Sequence, residues 1–158
     1  MSEQGSGRQK STEKAPELKR LEIFTGKWKT EGQTHATEAA PGVGISGTDS
    51  YEWLPGGFFL FHLVDVRVGD EPVRAIEIIG YDNEKGSYPM QSYDNHGGSP
   101  MMQLTANDNG TWVIEGDGKR STIHFTDNGN TMNGKWEQGE DGNWTPFMDV
   151  KLTKITPE

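Results

Sequence analysis

The sequence predicts a mainly β protein: an antiparallel meander of about eight to ten strands closed into a barrel and preceded by one short helix. Three observations carry this expectation. Short runs rich in β-branched and aromatic residues recur between residues 28 and 153 with few residues separating them. Glycine, 21 of 158 residues, concentrates in turn pairs such as Asn109-Gly110, Asp117-Gly118, Asn128-Gly129 and Asp141-Gly142, which supply the positive φ angles that tight hairpins require. No second helical segment follows Gly26, and a long meander disposes of its unpaired edges by closing on itself. A two-sheet sandwich is the alternative that the same runs allow.

Residues 1–14 hold Ser, Gly, Gln, Lys and Glu without periodicity and too little apolar surface to repay ordering. They are expected as a disordered tail ahead of a single domain over 15–158. Ser11 or Thr12 is the expected helix cap and Pro16 suits the first turn, while Leu18, Leu21 and Phe24 recur at intervals of three. Together these mark a short amphipathic helix ending near Gly26. Strands are then expected at 28–35, 45–54, 58–68, 73–82, 87–93, 100–106, 111–115, 120–125, 131–138 and 143–153.

Leu, Ile, Val and Phe make up only 28 of the 158 residues and the formal net charge is −9, figures that alone fall in the range of intrinsic disorder. Five Trp and four Tyr offset the shortage, since each large aromatic buries on the order of 150–250 Å². No run reaches the roughly 18–20 apolar residues of a membrane helix, and the polar start lacks the apolar stretch of a secretion signal, so a cytosolic location is expected. The absence of cysteine excludes disulfides, thiolate nucleophiles and cysteine-held metal centres. With 24 acidic against 15 basic residues, and the basic ones scattered, a nucleic-acid partner is not expected.

Gly26-Lys27-Trp28 opens the first strand directly after the helix and resembles the G-x-W signature of lipocalins and their relatives. The blocks Tyr51-Glu-Trp-Leu-Pro-Gly-Gly-Phe58, Glu77-Ile-Ile-Gly-Tyr-Asp82, Tyr93-Asp-Asn-His-Gly97, Gly134-Lys-Trp-Glu137 and Asp141-Gly-Asn-Trp-Thr-Pro-Phe-Met-Asp149 follow in order. Their order and spacing resemble a bacterial family, domain of unknown function 1579, over residues 18–155. The resemblance implies a lipocalin-like, calycin-type barrel and supplies no reaction or ligand. Trp28 is read as a plug for one barrel end, packed on the helix bearing Leu18 and Leu21. Pro55, Gly56 and Gly57 are read as the turn between the second and third strands. Asp82, Asp94 and Asp149 are read as strand-end carboxylates in Asx-turns, and Trp136 and Trp144 as partners across the Asp141-Gly142 turn.

The hairpin from Phe58 to Asp82 holds the candidate chemistry. Pairing Val68 with Val73 sets Val64 opposite Glu77 and His62 opposite Ile79, with His62 and Glu77 as diagonal neighbours. A two-residue Pro55-Gly56 loop would place Trp53 opposite Phe58, Tyr51 opposite Leu60 and Asp49 opposite His62. One face then carries Leu60, His62, Val64, Val66, Val68, Val73, Ala75, Glu77, Ile79 and Tyr81, an apolar surface with Asp49, His62 and Glu77 at its polar centre. The alternative sorting sends His62 and Glu77 outward and fills the core with Phe59, Phe61, Leu63, Ile76 and Ile78, because side-chain direction alternates along a strand.

An inward face suits a small apolar or amphipathic molecule, with Tyr51, Trp53, His62, Glu77, Tyr81, Tyr93, Trp112 and Trp136 as candidate ligand-binding residues. Met90, Met101, Met102, Met132 and Met148 would give the cavity an adaptable wall. A second reading makes His62 an acid–base catalyst with Glu77 or Asp49 in an isomerase, cyclase or hydrolase. No His pair has the spacing of a local metal site, and no metal or cofactor is expected. His124 and His62 are the candidates should the barrel hold a haem, whereas His35 and His96 carry less. The partners expected are a small molecule and, at most, a second copy of the chain, with no membrane.

Overall fold

The computed structural model describes residues 14–156. Residues 1–13, with the expected tail and the expected caps Ser11 and Thr12, lie outside the described residues. Ten antiparallel strands form one closed barrel: β1 Gly26–Thr34, β2 Gly44–Trp53, β3 Leu60–Val68, β4 Glu71–Ile79, β5 Tyr88–Asp94, β6 Met101–Ala106, β7 Trp112–Gly116, β8 Lys119–Thr126, β9 Thr131–Glu140 and β10 Asn143–Ile155. Each strand pairs with its sequence neighbour, and β1 pairs with β10 to close the ring, from Lys27 opposite Ile155 to Thr34 opposite Met148. The two-residue turns Asp117-Gly118 and Asp141-Gly142 have φ of 53° and 70°, and of 53° and 82°. Both residues of each pair thus adopt the left-handed conformation that matches strand twist.

The helix spans Pro16–Phe24 and is of the 3-10 type, preceded by Ala15, whose side chain makes no cap. Pro16 at its start has no N–H to satisfy, which reduces the need for one. The interval of three that selected Leu18, Leu21 and Phe24 is the repeat of a 3-10 helix, so all three fall on one side and are buried. They plug one end of the barrel. There Phe24 meets Trp112 edge-on at 5.0 Å and Phe125 at 5.3 Å. Trp28, fully buried, donates its indole N–H to the Phe24 carbonyl at 2.9 Å, and Tyr88 donates its hydroxyl to the Glu17 carbonyl at 2.7 Å.

Burial differs between the two ends. Inward residues at the helix end, Trp28, Leu60, Ile79, Tyr88, Trp112, Met132 and Leu152, are buried, whereas Val64, Val73, Ala75, Trp136, Met148 and Val150 towards the opposite end are only half-buried. The helix therefore seals one end of the barrel, while towards the other the inward side chains are mixed, Ile45 and Val66 buried and their neighbours half-buried.

Several expectations are corrected. The β3–β4 turn is Gly69-Asp70 rather than a four-residue loop, so Val66 opposes Val73 and His62 opposes Glu77. Pro72 joins the strand because position 72, opposite Arg67, needs no N–H to β3 in a two-residue hairpin. The β2–β3 turn is longer than two residues: the Leu54 N–H bonds the Phe59 carbonyl and the Gly57 N–H bonds the Leu54 carbonyl, both at 2.9 Å. Trp53 consequently opposes Leu60, Tyr51 opposes His62, and Asp49 opposes Val64. Trp136 and Trp144 do not pair; Trp136 opposes Met148 and Trp144 opposes Gly139. A bulge at Phe147 reverses side-chain direction, leaving Trp144 outside beneath Arg120, 4.3 Å from its ring. Asp82 and Asp94 accept the following backbone N–H groups as Asx-turns, at 2.9 Å from Glu84 and from His96. Asp149 instead sits within β10 and pairs with His35 at 2.9 Å.

Candidate functional site

Alternation along β1 to β5 points one polar residue per strand into the barrel: Thr30, Asp49, His62, Glu77 and Ser92. They join into a continuous belt. His62 Nε2 lies 2.7 Å from Asp49 Oδ2, and Nδ1 lies 2.6 Å from Glu77 Oε1. Ser92 donates to Glu77 Oε2 at 2.7 Å, and Thr30 donates to Asp49 Oδ1. Every carboxylate oxygen thus receives one hydrogen bond. The Tyr51 ring stacks on the imidazole, with centroids 3.9 Å apart and planes 9° from parallel.

This geometry requires a doubly protonated ring, because a neutral imidazole would aim a lone pair at one of the two carboxylates. Burial opposes the charge on His62, but the Glu77 carboxylate, the hydrogen bonds from both acids and the Asp49 charge outweigh it and raise the pKa to about 9. For Glu77, burial raises the pKa while the His62 charge and the bonds from His62 and Ser92 lower it, with a net shift below its ordinary 4.5. Burial first, and then the Asp49 and Glu77 charges, push the Tyr51 hydroxyl well above 10. With both acids ionised the belt carries one net negative charge. Its most accessible member is Glu77, whose side chain is 17% exposed against 8% for His62 and 10% for Asp49.

The expected site residues separate. Asp49, Tyr51, His62 and Glu77 come together, and Trp136 faces inward towards the open end. Trp53, Tyr81 and Trp112 belong to the plugged end: Trp53 donates to Glu22 Oε1 at 2.9 Å, and Tyr81 and Trp112 pack on Tyr88 at 5.0 and 5.5 Å. Tyr93 is a correction. It is 51% exposed on the outer wall because Tyr88, Met90 and Ser92 take the inward positions of β5. Met101, also 51% exposed, leaves the expected methionine wall for the same reason. Thr30 and Ser92 were not singled out from sequence; a lone hydroxyl has no signature, although each shares strand parity with a core residue, Trp28 or Met90.

Neither haem candidate is placed to hold iron. Both His62 nitrogens are occupied, and His124 lies on the exposed outer side of β8. Among the described residues no group of three or more His, Asp or Glu is arranged to hold a metal ion, and no helix is long and apolar enough to cross a membrane. Two surface concavities, of about 370 Å³ over β1 and β8–β10 and about 450 Å³ between the helix and the β2–β3 turn, lie apart from the belt.

The fold and belt define a closed ten-stranded barrel, plugged at one end, with a buried carboxylate–imidazolium–carboxylate array. The family described as "Protein of unknown function (DUF1579)" matches residues 13–154, and the chain belongs to it. No curated protein matches the sequence. Among solved structures the chain is similar to Rv2717c from M. tuberculosis, with 13% identity, a TM-score of 0.68, and coverage of 91% of this chain and 100% of that one. It is also similar to the S-type phycobiliprotein lyase CPES from Guillardia theta, with 11% identity, a TM-score of 0.65, and coverage of 94% and 98%. At these identities the likeness is one of fold.

Proposed function

We propose that this chain binds a small, largely apolar molecule through the open end of the barrel, with the Asp49–His62–Glu77 belt as the polar floor of the site. The observation that carries this reading is the asymmetry of the interior. Val64, Val73, Ala75, Trp136, Met148 and Val150 face inward and are only half-buried, beside the buried Val66 and Ile45, whereas the helix end is packed shut. A mostly apolar wall with a few fixed polar groups is the usual composition of a ligand site. That a lyase named for phycobiliproteins shares the fold adds support to a small-molecule ligand. The acid–base reading is less well supported, because both ring nitrogens already donate to carboxylates and neither is free to exchange a proton with a substrate.

Native mass spectrometry of the full chain purified from its own host tests the proposal. A bound molecule of a few hundred daltons is expected on the wild type and is expected to be absent from Ala75→Trp, which fills the mouth. A wild type of bare polypeptide mass, or a bound mass that Ala75→Trp retains, overturns it.

A further inference from the structure

The wall behind the belt is inverted relative to an ordinary half-buried sheet. In β3, His62 points inward between Phe61 and Leu63; in β4, Glu77 points inward between Ile76 and Ile78; in β5, Ser92 points inward between Gln91 and Tyr93. At the level of the belt, polar groups thus face the inside and mainly apolar ones the outside, where antiparallel sheets normally show the reverse. Phe59 is 49% exposed, Leu63 42%, and Tyr93 and Met101 51% each, four of the six exposed large hydrophobic residues in the described chain. They form one surface with the half-buried Phe61, Ile76 and Ile78, because Leu63 opposes Ile76, which opposes Tyr93, and Phe61 opposes Ile78, which opposes Gln91 and through it Met101.

From this surface we infer that the outer face of β3–β6 is a homodimer interface, covered in solution by the same face of a second copy. Three features select a second copy as the occupant. First, the exposed apolar area is on the order of 400 Å², within the roughly 300–600 Å² of a largest surface patch, which is often functional, and it can form the apolar centre of an interface burying roughly 800 Å² per partner. Second, the centre of the patch holds no charged side chain, so two chains of net charge −9 can meet there without placing like charges in contact. Third, the rim is two-signed: Glu52 flanks Phe61 near the helix end, and towards the open end Arg67 and Arg74 outnumber Asp65, which lies 3.3 Å from Arg74, leaving that end net positive. A two-fold axis lying across the strands sets the acidic end of each copy against the basic end of the other, as a self-complementary interface requires. A closed barrel has no free strand edge to extend, so pairing proceeds face to face and leaves both open ends clear.

Light scattering on the eluting full chain at tens of micromolar tests the inference. The expected mass is about 35 kDa, twice the 17.5 kDa of the chain. Leu63→Asp and Tyr93→Ser are each expected to shift it to the monomer while the circular dichroism of the barrel is unchanged, and Tyr93→Ser decides if Leu63→Asp does not fold. A wild type that elutes as a monomer overturns the inference, including one whose patch instead takes up lipid vesicles or a foreign protein. So does a dimer whose mass neither substitution changes.

Discussion

His62 is charged because two carboxylates face its two nitrogens, even though the ring is buried and burial alone would neutralise it. That charge is linked to stability. Raised from 6.5 to about 9, the His62 contribution is fully present below pH 6.5 and is lost as pH rises through 9. The depressed Glu77 contribution is present above 4.5 and is lost as pH falls through its lower folded value. Urea midpoints are therefore expected to be highest between pH 4.5 and 6.5 and to decline from there towards pH 9, with the His62 ring titrating near 9 by NMR. His62→Gln is expected to remove the alkaline decline. It is also expected to cost about 3–5 kcal/mol near neutrality, the usual cost of leaving a buried charge unpaired. A midpoint that stays flat from pH 6 to 9 in the wild type would contradict the charged ring. At this scale the sequence indicated three of the five belt members. Thr30 and Ser92 stayed hidden because a hydroxyl shows its role only once a carboxylate stands opposite it.

At the scale of elements, the helix is legible in its spacing. An interval of three keeps Leu18, Leu21 and Phe24 on one side only if the turn has three residues, and this side closes the barrel. Leu21→Ala is expected to cost about 2–5 kcal/mol, the range for a fully buried leucine, while Ile23→Ala, 38% exposed, is expected to change stability by less than about 0.5 kcal/mol. Equal losses in urea denaturation would show that the helix does not pack by this face. Registers were less legible than elements. Both hairpins flanking β3 slip by two residues from the sequence reading, once because Pro72 enters a strand and once because the turn after Trp53 is longer than its Pro-Gly pair suggests. A slip of two preserves the face, so the inward set survived while its partners changed. Trp144 shows the opposite case, since a single-residue bulge at Phe147 turns it outward. At Gly47, with φ of 149°, the backbone approaches β3 so closely that a Cβ would run into the Asp65 carbonyl. Such an approach two residues from Asp49 is what a glycine inside a strand often marks, but a Ser-Gly-Thr tripeptide does not say which neighbour comes close.

For the whole molecule, closure is the event on which every other feature depends. The β1–β10 ladder joins residues more than a hundred positions apart, from Lys27 with Ile155 to Thr34 with Met148. All the other ladders join sequence neighbours and need only short loops. The meander was therefore readable from local turns. That it closes instead of splitting into two sheets was readable only from its length, because no local signal records a pairing of such separation. Loop-closure entropy makes this ladder the costly one, and without it β1 and β10 each present a row of unpaired N–H and C=O groups. The belt makes the exposure worse: Thr30 belongs to β1, and losing its neighbouring strand opens the interior around Asp49 to water and to other chains. Deletion of residues 148–158 is thus expected to abolish the cooperative thermal transition and to send the chain into sedimenting aggregates rich in β-structure. Deleting residues 2–9, which precede the described residues, is expected to leave the transition in place. A soluble 1–147 fragment that melts cooperatively would show that nine strands fold without the tenth, and that the belt rests on its hairpins instead of on the closed ring.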